Sequence, residues 1–310
     1  MRIGLIDVDG HNFPNLPLMK ISAYHKTRGD DVSWFDPLFG GHYDKVYGSK
    51  VFSFTGDYPY FIDADEIIFG GSGYQIAEKD GREIWLQGAE NLPYEIEHTT
   101  PDYGLYGIED TAYGYLTRGC GKDCGFCHVT QKEGMQVFLA SPLSEFWHGQ
   151  KNIVLMNPNM LGVGKEVSLR LLDELMKTGA YIDFTQGLDI RLLDDDLIDR
   201  ILRMKIKKIH FAWDDAKDWS IPERLYHFRE RSGYGRDKVS VYLLTNYDTR
   251  IAEDIMRIET VRKIGFRPYV MIYQKDKLKP GHILRKMQRW CNSFIFYTVK
   301  EFDQYMGGNI

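Results

Sequence analysis

Between residues 113 and 273 the chain repeats one pattern, and that pattern limits the fold more than any other feature of the sequence. A short apolar or β-branched run is followed by a longer stretch with apolar residues at helical spacing, closed by glycine or a basic residue. The candidate strands are Tyr113–Thr117, Asn152–Met156, Tyr181–Thr185, Lys208–Trp213, Val239–Leu244 and Pro268–Tyr273. Amphipathic stretches such as KEVSLRLLDELMKTG, DDDLIDRILRMKI and RIAEDIMRIETVRKIG lie between them. Strands separated by helix-length stretches pair in parallel, because a parallel connection needs a long crossover. The expected fold class is therefore α/β, with a partial (β/α)6 barrel over 111–298. In such barrels the chemistry sits at the C-terminal ends of the strands.

Ahead of the repeat, Ile3, Leu5, Ile6 and Val8 make an apolar strand over Arg2–Asp9 that breaks at Gly10. Leu18, Ile21 and Tyr24 give a helix over Leu18–Arg28 that ends at Gly29. Further strands are expected at Val32–Phe35, Lys50–Phe54 and Glu66–Phe69, the last followed by GGSG. Residues 1–75 thus read as a small Rossmann-like open sheet, 76–110 as a charged, Pro- and Gly-containing linker, and 299–310 as a C-terminal tail. With 43% apolar and 27% charged residues the chain is ordinary globular protein. A net charge of −5 gives no electrostatic footprint for nucleic acid or for an anionic membrane surface. The N-terminus lacks the pattern of a signal peptide, and no apolar run is long enough for a membrane span, so a cytoplasmic protein is expected.

Four cysteines in 310 residues make no disulfide framework. Cys120, Cys124 and Cys127 fall within CGKDCGFC, directly after the first strand of the repeat, while Cys291 reads as a buried apolar cysteine. Thiolates suit zinc and iron–sulfur clusters. Structural zinc sites commonly take four ligands in two separated pairs. Here His128, the one residue that would complete a Cys3His set, is adjacent to Cys127. A non-enzymatic, zinc-stabilised binding module stays open as a reading. A 4Fe–4S cluster held by three thiolates leaves one iron without a protein ligand, and an open coordination site points to chemistry.

The spacing Cys120-x3-Cys124-x2-Cys127, with Phe126 just before the last cysteine, resembles the signature of the radical S-adenosylmethionine (radical SAM) superfamily. The surrounding YGYLTRGCGKDCGFCHV is similar to Fe–S oxidoreductases that carry a cobalamin-binding-like domain ahead of the radical SAM core. The resemblance covers about Thr111 to Tyr297. It implies metal ligands Cys120, Cys124 and Cys127, and a cluster whose open iron chelates S-adenosylmethionine. It also implies reductive cleavage to methionine and a 5′-deoxyadenosyl radical that takes hydrogen from a substrate the sequence does not identify. An electron donor such as flavodoxin or ferredoxin is the partner it implies.

Further cofactor contacts would come from later strand ends. Asn157 and Asn159, in NPNML, stand where the superfamily often has a Gly-Gly-Glu segment for the methionine amino group; the same residues also read as a simple turn. Gln186 and Arg191, in FTQGLDIRLL, resemble a segment of the cobalamin-linked subgroup. By its position Arg191 is expected on a cofactor carboxylate, the alternative being a surface pair with Asp189 or Asp194. Asp214 is expected on ribose, Asp215 as a helix cap, Thr245 and Asn246 on ribose or adenine, and Tyr273 and Gln274 on substrate. His210 is the one histidine placed to point into a barrel.

A cobalamin-dependent methyltransferase on the same core is the alternative enzyme reading. Residues 1–75 resemble a shortened cobalamin domain, and DGHNFP matches Asp9 and His11 of the Asp-x-His-x-x-Gly motif. Pro14 stands in place of its glycine, which stiffens the loop that would approach the corrin.

Overall fold

The computed structural model describes residues 1–11, 13–80, 82–86 and 92–307. Parts of the expected linker (81 and 87–91) and of the expected tail (308–310) lie outside the described residues. Contacts divide the chain into two compact units: Met1–Gly114 with Ser141–Gln150, and Tyr115–Ala140 with Lys151–Ile310. The described helices include none long and apolar enough to cross a membrane.

In the first unit β1 (Arg2–Asp7), α1 (Leu16–Thr27), β2 (Asp31–Trp34), β3 (Tyr43–Ser49) and β4 (Ala64–Gly70) form a parallel sheet in the order β2-β1-β3-β4. The two-residue period of β1 sends Ile3 and Leu5 against Leu18 and Ile21 of α1, and Ile6 to the other face against Tyr43 and Val46. The helix starts two residues earlier than Leu18, because Asn15 accepts the Leu18 N–H at 3.2 Å as its cap and Pro17 sits in its first turn.

The strand expected at Lys50–Phe54 is a loop, and the strand lies just before it, in β3. The apolar signal of VFSF belongs to exposed side chains, with Phe54 72% exposed and its ring 5.1 Å from that of Phe52. In β3 itself Gly48 interrupts the pattern. A Cβ there would stand 2.3 Å from the Phe69 ring of the neighbouring strand.

The stretch expected as a linker is largely structure of the first unit. After α2 (Ser72–Gln75) it holds the antiparallel hairpin of β5 (Ile76–Lys79) and β6 (Arg82–Trp85) and α3 (Tyr94–Glu97), and β7 (Thr111–Gly114) follows it. Ile96 is buried in the core beside Leu18, Ser22 donates to Asp102 at 2.7 Å, and Tyr106 donates to Asp7 at 2.7 Å. Isolated apolar residues among charges carry that packing, so no periodicity announces it. Tyr103 donates to the Phe146 carbonyl at 2.7 Å, one of the ties that bring 141–150 into this unit.

The second unit opens with β8 (Thr117–Arg118), α4 (Val129–Glu133) and β9 (Phe138–Leu139). The strand expected at Tyr113–Thr117 is therefore divided between β7 and β8. There follow β10 (Asn152–Leu155), α5 (Lys165–Thr178), β11 (Tyr181–Phe184), α6 (Asp195–Leu202), β12 (Lys205–Ala212), α7 (Ser220–Ser232), β13 (Val239–Thr245), α8 (Ile251–Ile264), β14 (Arg267–Ile272) and α9 (Ile283–Asn292). From β10 to β14 each strand pairs in parallel with the next. Ile182, Phe184, Ile209, Phe211, Val241, Leu243 and Val270 are buried, and alternate residues Asp183, His210, Tyr242 and Tyr269 are half-buried or exposed on the opposite face. A closed barrel fills its interior with side chains. Here the strand order is linear, and among the described residues no ladder joins β14 to β10.

The C-terminal ends of β12 and β13 are held by Arg257 of α8, which is fully buried. Its Nη1 donates to the carbonyls of Trp213 (2.6 Å) and Asp214 (3.1 Å), and its Nη2 to the Leu244 carbonyl (2.7 Å) and Asp254 Oδ1 (2.5 Å). Removing one partner of a buried ion pair strands the other charge. Arg257→Leu should therefore lower unfolding stability by ~3–5 kcal/mol in urea titration, and Arg257→Leu with Asp254→Leu should recover part of the loss. Equal stability of the single variant and the parent would contradict this account.

Candidate functional site

The cysteine loop hangs from the short β8–β9 pair, in which Thr117 faces Leu139 and Arg118 faces Phe138. Gly119 has φ +81°, and a Cβ there would stand 2.1 Å from the Gln136 carbonyl, so the loop starts on a residue that must be glycine. Glu133, at the end of α4, closes the base: it accepts the Gly119 N–H at 2.9 Å and approaches Arg118 at 3.5 Å. Cys120 N–H donates to the Gly134 carbonyl at 3.3 Å, and Cys127 N–H to the Cys124 carbonyl at 2.9 Å, which folds the Cys124–Cys127 segment into a turn.

Side chains from successive strand exits meet this loop. After β10, Asn159 Nδ2 points at Cys120 Sγ at 3.8 Å, while Asn157 Nδ2 donates to Thr117 Oγ1 at 2.9 Å and to its carbonyl at 3.2 Å. After β11, Asp189 lies 3.6 Å from Lys122 of the loop and takes both Nε (2.7 Å) and Nη2 (3.2 Å) of Arg191. After β12, the Asp214 carboxylate accepts the Leu244 N–H at 3.1 Å and bears electrostatically on Cys124 and Cys127. After β13, Tyr247 sets its ring 5.2 Å from Phe126 and its hydroxyl 2.4 Å from where a Cβ on Gly125 would stand. After β14, the Tyr273 ring lies 5.1 Å from that of Tyr247.

Burial pushes the Cys124 and Cys127 thiols up, and their neighbours reinforce it: Cys127, Asp214 and Cys120 for the first, Cys120, Asp214 and Glu133 for the second. Arg191 acts the other way on Cys124. Burial also raises the Asp214 carboxyl. The site thus gathers three half-buried thiols near the Asp214 carboxylate, with the exposed Arg191 guanidinium at its edge.

The residues singled out in the sequence fall into distinct positions. Asn157 and Asn159 are buried, each with a side-chain oxygen that has no hydrogen-bond partner. Gln186 is exposed at the exit of β11. Arg191 is paired with Asp189, while Asp194 caps α6 by accepting the Leu197 N–H at 3.0 Å. Thr245 is fully buried, and its hydroxyl donates to the Met271 carbonyl at 3.1 Å, so it ties β13 to β14 instead of facing the rim. Asn246, exposed and left-handed at φ 66°, donates to the Tyr273 carbonyl at 2.8 Å. Asp215 caps a turn through the Lys217 N–H at 2.8 Å and does not cap α7, which begins at Ser220. His210 lies below the rim, and burial and Lys208 lower its imidazole to about 4.

Sequence reasoning did not single out Tyr247, Glu133 or Arg257. Only Tyr247 leaves a signal: non-glycine left-handed residues Asn246 and Asp248 flank it, in a stretch rich in the residue types that tolerate that conformation.

Among the described residues no group of three or more His, Cys, Asp or Glu side chains is gathered for a metal ion. The donor chemistry nonetheless fits a soft metal centre, since three thiols share one loop and thiolates are ligands for soft metals. The orphaned Asn157 and Asn159 oxygens beside it fit a ligand that brings hydrogen-bond donors.

No protein-family model matches the chain. No curated protein matches it. Among solved structures, a cobalamin-dependent S-adenosylmethionine radical enzyme, OxsB with aqua-cobalamin bound, is similar over 87% of this chain and 49% of its own, with a TM-score of 0.39 and 13% identity. The chain spans about half the length of that protein. A likeness at this level assigns no activity.

Two expectations follow. Gly125→Ala should push Tyr247 aside without unfolding the chain, because the clashing atom is the tip of a side chain; a loss of about 1 kcal/mol or less in thermal denaturation is expected. Adding Tyr247→Phe should restore it in a double-mutant cycle, and a full additive loss would contradict the contact. For His210 the folded value of about 4 lies below the ordinary 6.5, so the unfolded chain takes the proton first. Its contribution is complete above pH 6.5 and is lost as pH falls toward 4, by ~3 kcal/mol. His210→Phe should flatten that part of the stability profile, and an unchanged slope would contradict it.

Proposed function

We propose that this chain is a radical SAM enzyme, in which Cys120, Cys124 and Cys127 hold a 4Fe–4S cluster and the rim of the parallel sheet holds S-adenosylmethionine. The observation that supports this best is the convergence of residues after β10, β11, β12 and β13 on one three-cysteine loop. A structural zinc site has no need of such a rim, whereas a reaction centre does. When bound, the cluster would supply one electron for cleavage of S-adenosylmethionine to methionine and a 5′-deoxyadenosyl radical, with the electron coming from a donor such as flavodoxin or ferredoxin.

The chain's own residues then have definite tasks. Asn157 and Asn159 offer unpaired acceptor oxygens to the amino group of the methionine part. Arg191, already oriented by Asp189, offers its guanidinium edge to the carboxylate. Asp214 suits ribose hydroxyls, and Phe126 with Tyr247 offers aromatic surface to adenine. Gln186 and Asn246 stand at the same rim, while Thr245 acts from behind by joining β13 to β14. Glu133 and Gly119 keep the loop closed at its base.

The proposal leaves cobalamin out. The His11 ring is packed 4.2 Å from Trp34 and edge-on to Tyr106 at 5.8 Å. Asp9 is spent on the backbone of Val51 and Phe52 and on the Thr55 hydroxyl at 2.6 Å. Asp9 of the motif fragment is thus committed to the loop after β3, and the exposed His11 packs on Trp34.

Anaerobic reconstitution should yield a brown protein with about four irons per chain that forms 5′-deoxyadenosine under reducing conditions. Cys120→Ala should abolish both. Stoichiometric zinc without cleavage would replace the proposal by the binding-module reading, and retention of added cobalamin through gel filtration would reinstate the methyltransferase.

A further inference from the structure

One polar row in the second unit has no part in the cysteine loop. Asp183 of β11, His210 of β12, Tyr242 of β13 and Tyr269 of β14 occupy neighbouring strands, and their strand neighbours Phe184, Phe211, Val241 and Val270 are buried on the other face. The period of a strand therefore puts all four on the face opposite the helices. The His210 ring lies flat on the Tyr242 ring, centroids 4.9 Å apart and planes inclined by 9°, with Tyr269 edge-on to Tyr242 at 5.7 Å. Tyr242 is held in place by donating to the Thr185 carbonyl at 3.1 Å.

Two atoms of this row are buried without a hydrogen-bond partner: Asp183 Oδ1 and His210 Nδ1. The nearer imidazole nitrogen, Nε2, is 3.9 Å from Asp183 Oδ1, too far for a hydrogen bond. That distance would suit an ion pair, but with its value lowered to about 4 the ring is uncharged near neutral pH. A fold that leaves two adjacent buried polar atoms unpaired beside an aromatic stack carries a cost that a ligand can remove. The ligand must be flat to lie along the rings and must present a donor to the carboxyl and a complementary atom to the imidazole. A ring nitrogen next to an exocyclic amino group does both.

We propose that Asp183, His210, Tyr242 and Tyr269 form a binding site for a neutral, amino-bearing heteroaromatic ring of the nucleobase kind. The site uses none of the cysteine-loop residues, so it stands or falls separately from the proposed reaction.

The test uses the full chain and cytosine as probe, with p-cresol as a flat ring lacking the amino and ring-nitrogen edge. Imidazole resonances of His210, assigned by their loss in His210→Phe, should shift saturably with cytosine in the millimolar range. Isothermal titration should show p-cresol at least tenfold weaker. His210→Phe, which keeps a stacked ring and removes both nitrogens, and Asp183→Leu should each weaken cytosine binding about tenfold. Unmoved His210 resonances, p-cresol binding as tightly as cytosine, or undiminished affinity in His210→Phe would overturn the proposal. The last comparison does not depend on a variant that loses ring packing.

Discussion

The fully buried guanidinium of Arg257 is the interaction on which the second unit's chemistry rests. Where β12 and β13 end, their carbonyls leave the ladder and need other donors, because a buried carbonyl without one is costly. Arg257 supplies them to Trp213, Asp214 and Leu244 together, and Asp254 balances its charge within the same helix. A planar group with five fixed donors can bridge two strand ends in this way, and an ammonium cannot. The backbone of Asp214 is thereby fixed, and Tyr247 follows only three residues after Leu244. Both side chains bear on the cysteine loop, so an arginine that touches no cysteine sets where two of the loop's neighbours stand.

The parts of the fold that were legible in the sequence are those governed by periodicity. Strands β10, β11, β13 and β14 lie close to where periodicity put them, because each has a buried apolar face and each helix between them closes on glycine or a basic residue. By contrast, β12 begins at Lys205, ahead of the expected Lys208, since Ile206 continues the helical spacing of α6. Periodicity misleads where apolar residues cluster without burial, as in VFSF, and where a strand carries polar residues and a glycine, as in β3. It is silent for α3, whose one core residue, Ile96, is surrounded by glutamates. Arg257 is equally hidden: α8 contains other basic residues, and nothing local distinguishes the one that points under the strand ends from those that face outward.

For the candidate site, strand-end position sufficed to bring Asn159, Arg191 and Asp214 near the cysteine loop. Position alone does not say which way a side chain turns. Thr245 and Asn246 are adjacent at the end of β13, yet the first is buried under Met271 and the second is exposed. Arg191 shows the same limit, since the competing readings of it, a pair with an aspartate and a contact to a carboxylate ligand, use the same guanidinium. The structure shows the pair with Asp189, and Asp189 in turn reaches Lys122. That link joins a strand exit to the loop and needed the three-dimensional arrangement to be seen.

Electrostatics explains why the loop is braced from outside. Bringing three thiolates together beside Asp214 is unfavourable: burial and mutual repulsion already favour the protonated thiols of Cys124 and Cys127. The thiols therefore cannot draw the loop into shape themselves. Glu133 at its base, the Gly119 turn, Asn159 at Cys120, Asp189 at Lys122 and Tyr247 over Gly125 do so instead, all through backbone or side chains other than sulfur, Asn159 excepted. Coordination of a soft cation would require the thiolates and release their protons. The bracing thus holds three thiols on one loop with no bond between them.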